Sequence, residues 1–351
     1  MTGFIASLGL PEIVGGVMML ALNAYVLMGG ADFGGGVWDL LASGPRRDAQ
    51  RALIAESIAP IWEANHVWLV IVVVMLFTAF PSVFALLGTV LHIPLTLMLV
   101  GIVLRGSAFV FRSYGSRAQL AQRRWGRVFA AASLITPVLL GIIVGAIASG
   151  AVGRVQPLLA SPSSGTSFQS VFVAPWLGFF PLAVGVLALA LFAFLAAVYL
   201  TLATSDDALR EDFRRRALGA AVAAFIAAAG ALLVAHVHAP AVGRGLVESP
   251  LAIALQGATA IAALTAIAAL YTRHWQLARF AAAAQVSLVL WGWVLVQYPF
   301  IVPPVATLRD AAAPDVTLEL LLIALAVGAV VLIPSLIYLF RNFGAAESER
   351  R

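Results

Sequence analysis

The feature that most constrains this chain is a succession of long apolar stretches separated by short polar segments. A helix needs about 20 apolar residues to cross the hydrocarbon core of a bilayer, and the chain offers many such stretches. Hydrophobic residues make up 62% of the sequence and charged residues only 11%, which is too apolar for a soluble domain with a polar surface. The sequence therefore predicts a helical integral membrane protein.

Hydropathy predicts about nine transmembrane helices in an all-α fold. They cover residues 10–42, 51–78, 83–111, 126–150, 173–202, 214–237, 249–271, 277–298 and 316–341. The segment 154–170 is rich in Ser, Pro and Gly, and we expect it to be a structureless outer loop. It divides the chain into a first four-helix bundle over 1–153 and a second four-helix bundle over 171–351, which ends in one peripheral helix.

The arginines indicate the orientation of the helices, because all 21 basic residues are arginine and most lie beside the ends of the spans. The loops after the first, third, fifth and seventh spans and the C-terminal tail hold most of them, whereas the opposite side holds Arg154, Arg244 and Arg309. By the positive-inside rule, the N-terminus is outside and the C-terminus is cytoplasmic. This pattern is a topology signal and not a nucleic-acid-binding patch. Met1–Pro11 lacks the features of a signal peptide, so we expect a retained first helix.

Acidic residues inside the first two spans are the strongest functional candidates, because a charge within a bilayer is costly. Span one carries Asp32 and Asp39, and span two carries Glu56 and Glu63, each pair seven residues apart and on one helical face. All four are candidates for proton transfer. Pairing with an arginine at the helix end explains Asp39 and Glu56 more readily. Asp32 and Glu63 have no arginine within a turn of their own helix and fall at similar depth, so we expect them to exchange protons.

Gly30 and Gly34 flank Asp32 in a glycine-rich run that superficially resembles a phosphate-binding loop. The run lies inside an apolar span with no strand before it, so nucleotide binding is rejected. Small residues four apart allow two helices to approach closely. This pair therefore predicts that a second helix packs against the face that carries both glycines.

A dense polar and aromatic cluster formed by Trp62, Asn65, His66 and Trp68 occupies the middle of span two. These polar atoms need partners in a lipid environment. His66 and His92 fall at comparable depth, which leaves a bis-histidine haem as an alternative, although a histidine in lipid more often forms a hydrogen bond across helices. The chain has no cysteine, so thiolate metal sites are excluded, and we expect no metal site in this chain.

Three segments carry a resemblance to a known family. They are Gly29-Gly30-Ala31-Asp32-Phe33-Gly34 in span one, Ile58-Ala59-Pro60-Ile61-Trp62-Glu63-Ala64-Asn65-His66-Val67-Trp68 in span two, and Gln297-Tyr298-Pro299-Phe300-Ile301-Val302-Pro303-Pro304 before the last span. In these segments and their order the chain resembles subunit II of cytochrome bd-type quinol oxidases, including the cyanide-insensitive variety.

The resemblance implies a subunit with no catalytic residue of its own and no haem ligand. It would pair with a haem-bearing subunit I, which oxidises quinol, holds haem b and haem d, and reduces dioxygen to water in the bacterial cytoplasmic membrane. Asp32 and Glu63 match acids that the family assigns to a proton route from the cytoplasm, and Trp68 matches a tryptophan near a proposed oxygen passage. Many members carry a second acid where this chain has Gly29. The resemblance also allows a structural quinone and small accessory membrane subunits.

Two other functions would use similar residues. A proton-coupled secondary transporter also needs acids within the membrane, but the sequence shows no paired broken helices in corresponding halves. A quinol-binding membrane anchor of another respiratory complex is the third hypothesis.

Overall fold

The computed structural model describes residues 9–58, 62–114, 119–160 and 166–348, although the side chains of 62–63, 112–114, 119–123 and 339–348 are not described. The helices in chain order are α1 (Leu10–Leu40), α2 (Arg47–Ile58), α3 (Trp62–Ala79), α4 (Pro81–Val90), α5 (His92–Tyr114), α6 (Gln119–Ala148), α7 (Ala151–Ala160), α8 (Phe168–Phe172), α9 (Phe179–Leu202), α10 (Asp207–His238), α11 (Pro240–Glu248), α12 (Pro250–Tyr271), α13 (Trp275–Gln297) and α14 (Asp315–Ser348). A short antiparallel hairpin of β1 (Phe300–Val302) and β2 (Ala306–Thr307) precedes α14.

Among the described helices, eight are long and apolar enough to cross a membrane, and α3 with α4 makes a ninth span if the bent pair counts as one. The predicted all-α membrane fold of about nine helices is therefore confirmed. The predicted single helix over 83–111 is wrong, because α4 ends at Val90 and α5 begins at His92. The bend of 116° between α3 and α4 lies between the two predicted spans 51–78 and 83–111. Pro81 begins α4 and has no backbone N–H with which to continue α3.

The span predicted over 51–78 corresponds to α2 and α3, with residues 59–61 outside the described part of the chain. The predicted structureless loop over 154–170 is also partly wrong. Its first residues belong to α7, and its last residues form α8, which the Ser167 hydroxyl caps by accepting the Ser170 N–H at 3.2 Å. Because α9 packs against both α1 and α6, the two halves of the chain meet along this helix. Their division into two bundles stays a prediction.

Polar side chains fix where two of the long helices begin. At the start of α1, the Glu12 carboxylate accepts the backbone N–H of Gly9 at 2.9 Å, and Pro11 supplies a backbone angle suited to the first turn. At the start of α10, the Asp206 carboxylate accepts the N–H of Ala208 at 2.7 Å and the N–H of Leu209 at 3.2 Å. In both cases a carboxylate oxygen accepts from backbone N–H groups that have no backbone carbonyl partner in the helix.

The glycine run of α1 lets neighbouring helices approach it from several directions. A Cβ atom at Gly34 would overlap the backbone carbonyl of Phe192 in α9, so α9 lies against this face of α1. Three other glycines would also overlap a neighbour if they carried a Cβ: Gly30 (Leu195 of α9), Gly35 (Ile58 of α2) and Gly36 (Ser133 of α6). Neighbouring helices can come this close only because glycine has no side chain at these positions.

Replacing Gly34 by Ala is expected to destabilise the purified protein by about 1–3 kcal/mol, because the new methyl group overlaps a backbone carbonyl that cannot rotate away. Gly30→Leu, which must displace Leu195, is expected to abolish the yield of folded protein. Thermal unfolding in detergent measures the first effect. Gly328→Ala in α14 is the matched control, since nothing lies within 4 Å of that position. A Gly34→Ala melting temperature equal to that of wild type would contradict the close approach of α9.

Candidate functional site

The centre of the molecule holds an ion pair between Asp32 of α1 and Arg105 of α5. The two residues are 0% and 1% exposed. Arg105 Nη2 lies 2.5 Å from Asp32 Oδ1, and Nη1 lies 2.8 Å from Oδ2. Nη2 also donates to the Asp32 backbone carbonyl at 2.8 Å. This two-pronged arrangement is the strongest geometry available to an arginine and a carboxylate.

Three further side chains hold the Arg105 guanidinium in place. Its Nε donates to the Ser133 hydroxyl of α6 at 3.1 Å. The guanidinium carbon also lies 4.8 Å from the ring centroid of Phe33 and 5.0 Å from that of Phe129. A cation over an aromatic face is attracted by the ring, and the attraction grows when water is absent. The ion pair therefore joins α1, α5 and α6 at one buried point.

The polar cluster of α3 reaches the same centre through Asn65, which is 0% exposed. Its Nδ2 donates to Asp32 Oδ2 at 3.2 Å. Asn65 Oδ1, His66 Nδ1 and Trp68 Nε1 are buried and have no hydrogen-bond partner within the described part of the chain. Buried polar groups are nearly always paired. α3 thus brings hydrogen-bonding capacity to the ion pair that the described side chains do not use up.

Asp39 and Glu56 lie away from this centre. Asp39 is 3% exposed near the end of α1, where Arg51 Nε lies 3.8 Å from its carboxylate and donates to its backbone carbonyl at 3.2 Å. Glu56 is exposed on α2. The side chains of Trp62 and Glu63 lie outside the described residues, and so does the helical continuity between Glu56 and Glu63 on which their shared face depends.

The sequence analysis missed Arg105, the principal partner of Asp32. Asp32 has no arginine within a turn of its own helix, as the sequence shows, and its partner comes from a helix 73 positions further along the chain. The rule that selected the acids could have found Arg105, since it is a charge inside the span predicted over 83–111. Ser133 carried no such signal, because serine is common in membrane helices.

His92, considered as a possible partner of His66 in a haem site, lies at the start of α5. Its Nδ1 is 2.8 Å from the Thr89 carbonyl oxygen, and its ring packs edge-on against Phe172 with centroids 5.3 Å apart. In the described part of the chain, no three His, Asp or Glu side chains are grouped closely enough to hold a metal ion. The centre itself is held by an ion pair and by hydrogen bonds from Asn65 and to Ser133.

The fold and this centre define a multi-pass helical membrane protein built around a buried acid–arginine pair. A family model described as cytochrome bd terminal oxidase subunit II matches residues 10–343. Cytochrome bd ubiquinol oxidase subunit 2 of Bacillus subtilis (strain 168) is 30% identical over 119 residues, which is 34% of each chain. Cytochrome bd-I ubiquinol oxidase subunit 2 of Escherichia coli (strain K12) is 27% identical over 152 residues, which is 42% of this chain and 38% of that protein.

A solved structure of bd oxidase from Geobacillus thermodenitrificans contains a chain of similar fold, with a TM-score of 0.77 and 21% identity. The match covers 95% of this chain and 98% of that one. The aligned regions span 34% and 38% of the length of the two curated relatives. The chain belongs to the cytochrome bd terminal oxidase subunit II family, because the family model extends over nearly its whole length.

Replacing Arg105 by Met is expected to destabilise the protein by about 3–5 kcal/mol, because the Asp32 carboxylate then stays buried without its partner. Adding Asp32→Leu to that variant is expected to restore part of the lost stability. Thermal unfolding of the two single variants and the double variant gives the coupling energy between the side chains. Strictly additive losses would mean that the two side chains do not interact.

Proposed function

We propose that this chain acts as subunit II of a cytochrome bd-type quinol oxidase, which couples quinol oxidation to the reduction of dioxygen to water. The observation that carries the proposal is the family match over residues 10–343. The chain would serve as a scaffold and a proton route for a haem-bearing subunit I. The complex would lie in the bacterial cytoplasmic membrane. The N-terminus of this chain would be outside and its C-terminus cytoplasmic, as the arginine distribution favours.

The proposal assigns haem b and haem d to subunit I. The chain has no cysteine, and His92 Nδ1 lies against the Thr89 carbonyl oxygen of α4 while the His92 ring packs against Phe172. This chain would contribute closely packed helices around the buried ion pair of Asp32 and Arg105.

The proposed proton route runs from the arginine-rich face toward the partner's haems. Dioxygen reduction consumes protons, and a buried haem site cannot draw them through hydrocarbon without titratable groups or water. Glu63 and Asp32 are the proposed stations, with Asp39 and Glu56 nearer the entrance. Because Arg105 already neutralises Asp32, we propose that a proton reaches this carboxylate only while the ion pair is open. The cluster of Trp62, Asn65, His66 and Trp68 would line this route and the oxygen passage.

A proton-coupled transporter and a quinol-binding anchor are the competing functions. Transporters of this kind place broken helices in corresponding positions of two repeats. In the described part of the chain, α3 with α4 is the one bent pair, and the second half has no counterpart. The absorption spectrum of the natively purified complex separates the three functions. A chlorin band that co-purifies with a second membrane subunit supports the oxidase, whereas a haem-free single chain would overturn it.

Glu63→Gln keeps the size of the side chain but removes its titration, and we expect haem content to survive while steady-state oxygen consumption falls at least about tenfold, equivalent to about 1.4 kcal/mol in barrier. Asp32→Asn also replaces one acceptor oxygen of the ion pair with an amide N–H₂ that faces the Arg105 donors, so a loss of stability is expected to accompany its loss of oxygen consumption. Oxygen uptake by the purified complex at pH 6 to 9 measures the effect. Glu248→Gln, at an exposed position at the end of α11 and outside the proposed route, is the control and should keep the wild-type rate. A variant that assembles fully and respires at the wild-type rate would remove that residue from the route.

Replacing both His66 and His92 by Ala is expected to leave the haem content per complex unchanged, because neither is proposed to ligate iron. Pyridine haemochrome analysis and the absorption spectrum measure this content. Loss of one haem from a complex that still contains both subunits would restore the bis-histidine alternative.

A further inference from the structure

We propose that an anionic phospholipid binds at a cluster of three arginines around Glu211, defined as Glu211, Arg214, Arg215 and Arg273. Arg214 holds the carboxylate with two hydrogen bonds of 2.8 Å, from Nε to Oε2 and from Nη2 to Oε1. Arg215 Nε donates to Oε1 at 3.1 Å. Arg273, from the turn between α12 and α13, places Nη2 3.8 Å from Oε2. One carboxylate therefore positions three guanidinium groups.

The Glu211 cluster carries a surplus of positive charge and of hydrogen-bond donors. Three guanidinium groups against one carboxylate leave a net charge of +2. Each guanidinium has five N–H donors, so most donors remain after Glu211 is satisfied. The side chains of Arg215 and Arg273 are 75% and 68% exposed, and they present these donors to the surroundings. Arginine groups fixed in this way suit the oxygen atoms of a phosphate.

Two other arginines on the same face already form hydrogen bonds within the protein. Arg46 pairs one-to-one with Asp212, with Nη2 2.6 Å from Oδ1. Arg210 donates to the carbonyl oxygens of Thr201 and Thr204 at the end of α9. The positive-inside rule alone would explain arginines at these helix ends. It does not explain why three of them converge on one acid and keep an unbalanced charge.

The apolar surface next to the cluster indicates a lipid and not a free phosphate. Val222 and Ile226 follow Arg215 by seven and eleven residues on the same face of α10, and both are largely exposed. Tyr271 ends α12, and Leu264 lies seven residues before it with 66% of its surface exposed. α10 and α12 are in contact. A phospholipid whose phosphate binds the arginines would place its two acyl chains beside these apolar faces. Inorganic phosphate would contact only the charged groups.

The test is a binding measurement on the purified, delipidated complex in neutral detergent, by native mass spectrometry with phosphatidylglycerol and phosphatidylcholine as probes. We expect the wild-type complex to bind phosphatidylglycerol more tightly than phosphatidylcholine. The double variant with Arg215→Gln and Arg273→Gln is expected to bind phosphatidylglycerol about tenfold more weakly. Arg154→Gln with Arg244→Gln removes the same charge from the opposite helix ends and should leave binding unchanged. If the double variant is unstable, the single variants Arg215→Gln and Arg273→Gln take its place, and each should lose part of the phosphatidylglycerol binding.

Equal phosphatidylglycerol binding by wild type and the double variant would overturn the proposal, and so would equal binding of the two lipids by wild type. Full displacement of the lipid by millimolar inorganic phosphate would assign the site to a free anion. The haem spectrum and the retained partner subunit are recorded on the same samples. They test the proposed oxidase function separately, because the lipid site depends on neither.

Discussion

The buried ion pair of Asp32 and Arg105 is the interaction on which the packing of the first helices depends. An isolated charge in an apolar interior costs several kcal/mol, so the pair is tolerated only with good geometry and with its remaining donors and acceptors satisfied. Asn65 and Ser133 satisfy two of them, and they come from α3 and α6. Four helices must therefore converge on one point. A shift of α1 or α5 would leave a buried charge without its partner, and a shift of α3 or α6 would remove a hydrogen bond from the pair.

Such convergence requires the backbones to lie unusually close, and the glycine run of α1 makes this possible. Gly34 admits the backbone of α9, and Gly36 admits Ser133, the residue that accepts from Arg105. The same absence of side chains that allows α9 to touch α1 also places a hydroxyl next to the guanidinium. α1 is thus enclosed by neighbours instead of presenting one apolar face. This enclosure couples the two halves of the chain through α9.

Much of the fold could be predicted because long apolar segments must cross the membrane as helices. Hydropathy locates such segments but not a turn within them, so the break at Leu91 between α4 and α5 lies inside one predicted span. The burial of Asp32 could be predicted, because a charged side chain in a membrane helix faces the interior of the bundle and not the lipid. Its pairing with Arg105 could not be read from spacing, because spacing relates residues within one helix and this contact joins two helices. The short helix α7 was not predicted, because the segment 154–170 is rich in Ser, Pro and Gly, which favour a loop.

The position of Gly29 relates the ion pair to the proposed proton route. A Cβ atom at Gly29 would lie 3.4 Å from Asn65 Nδ2. A side chain at this position would therefore touch the amide that donates to Asp32. The unpaired polar atoms near the centre, including His66 Nδ1 and Trp68 Nε1, belong to α3, which also carries Glu63. In the proposed route α1 therefore supplies a carboxylate that Arg105 holds until the ion pair opens, and α3 supplies Glu63 and the unpaired polar groups beside it.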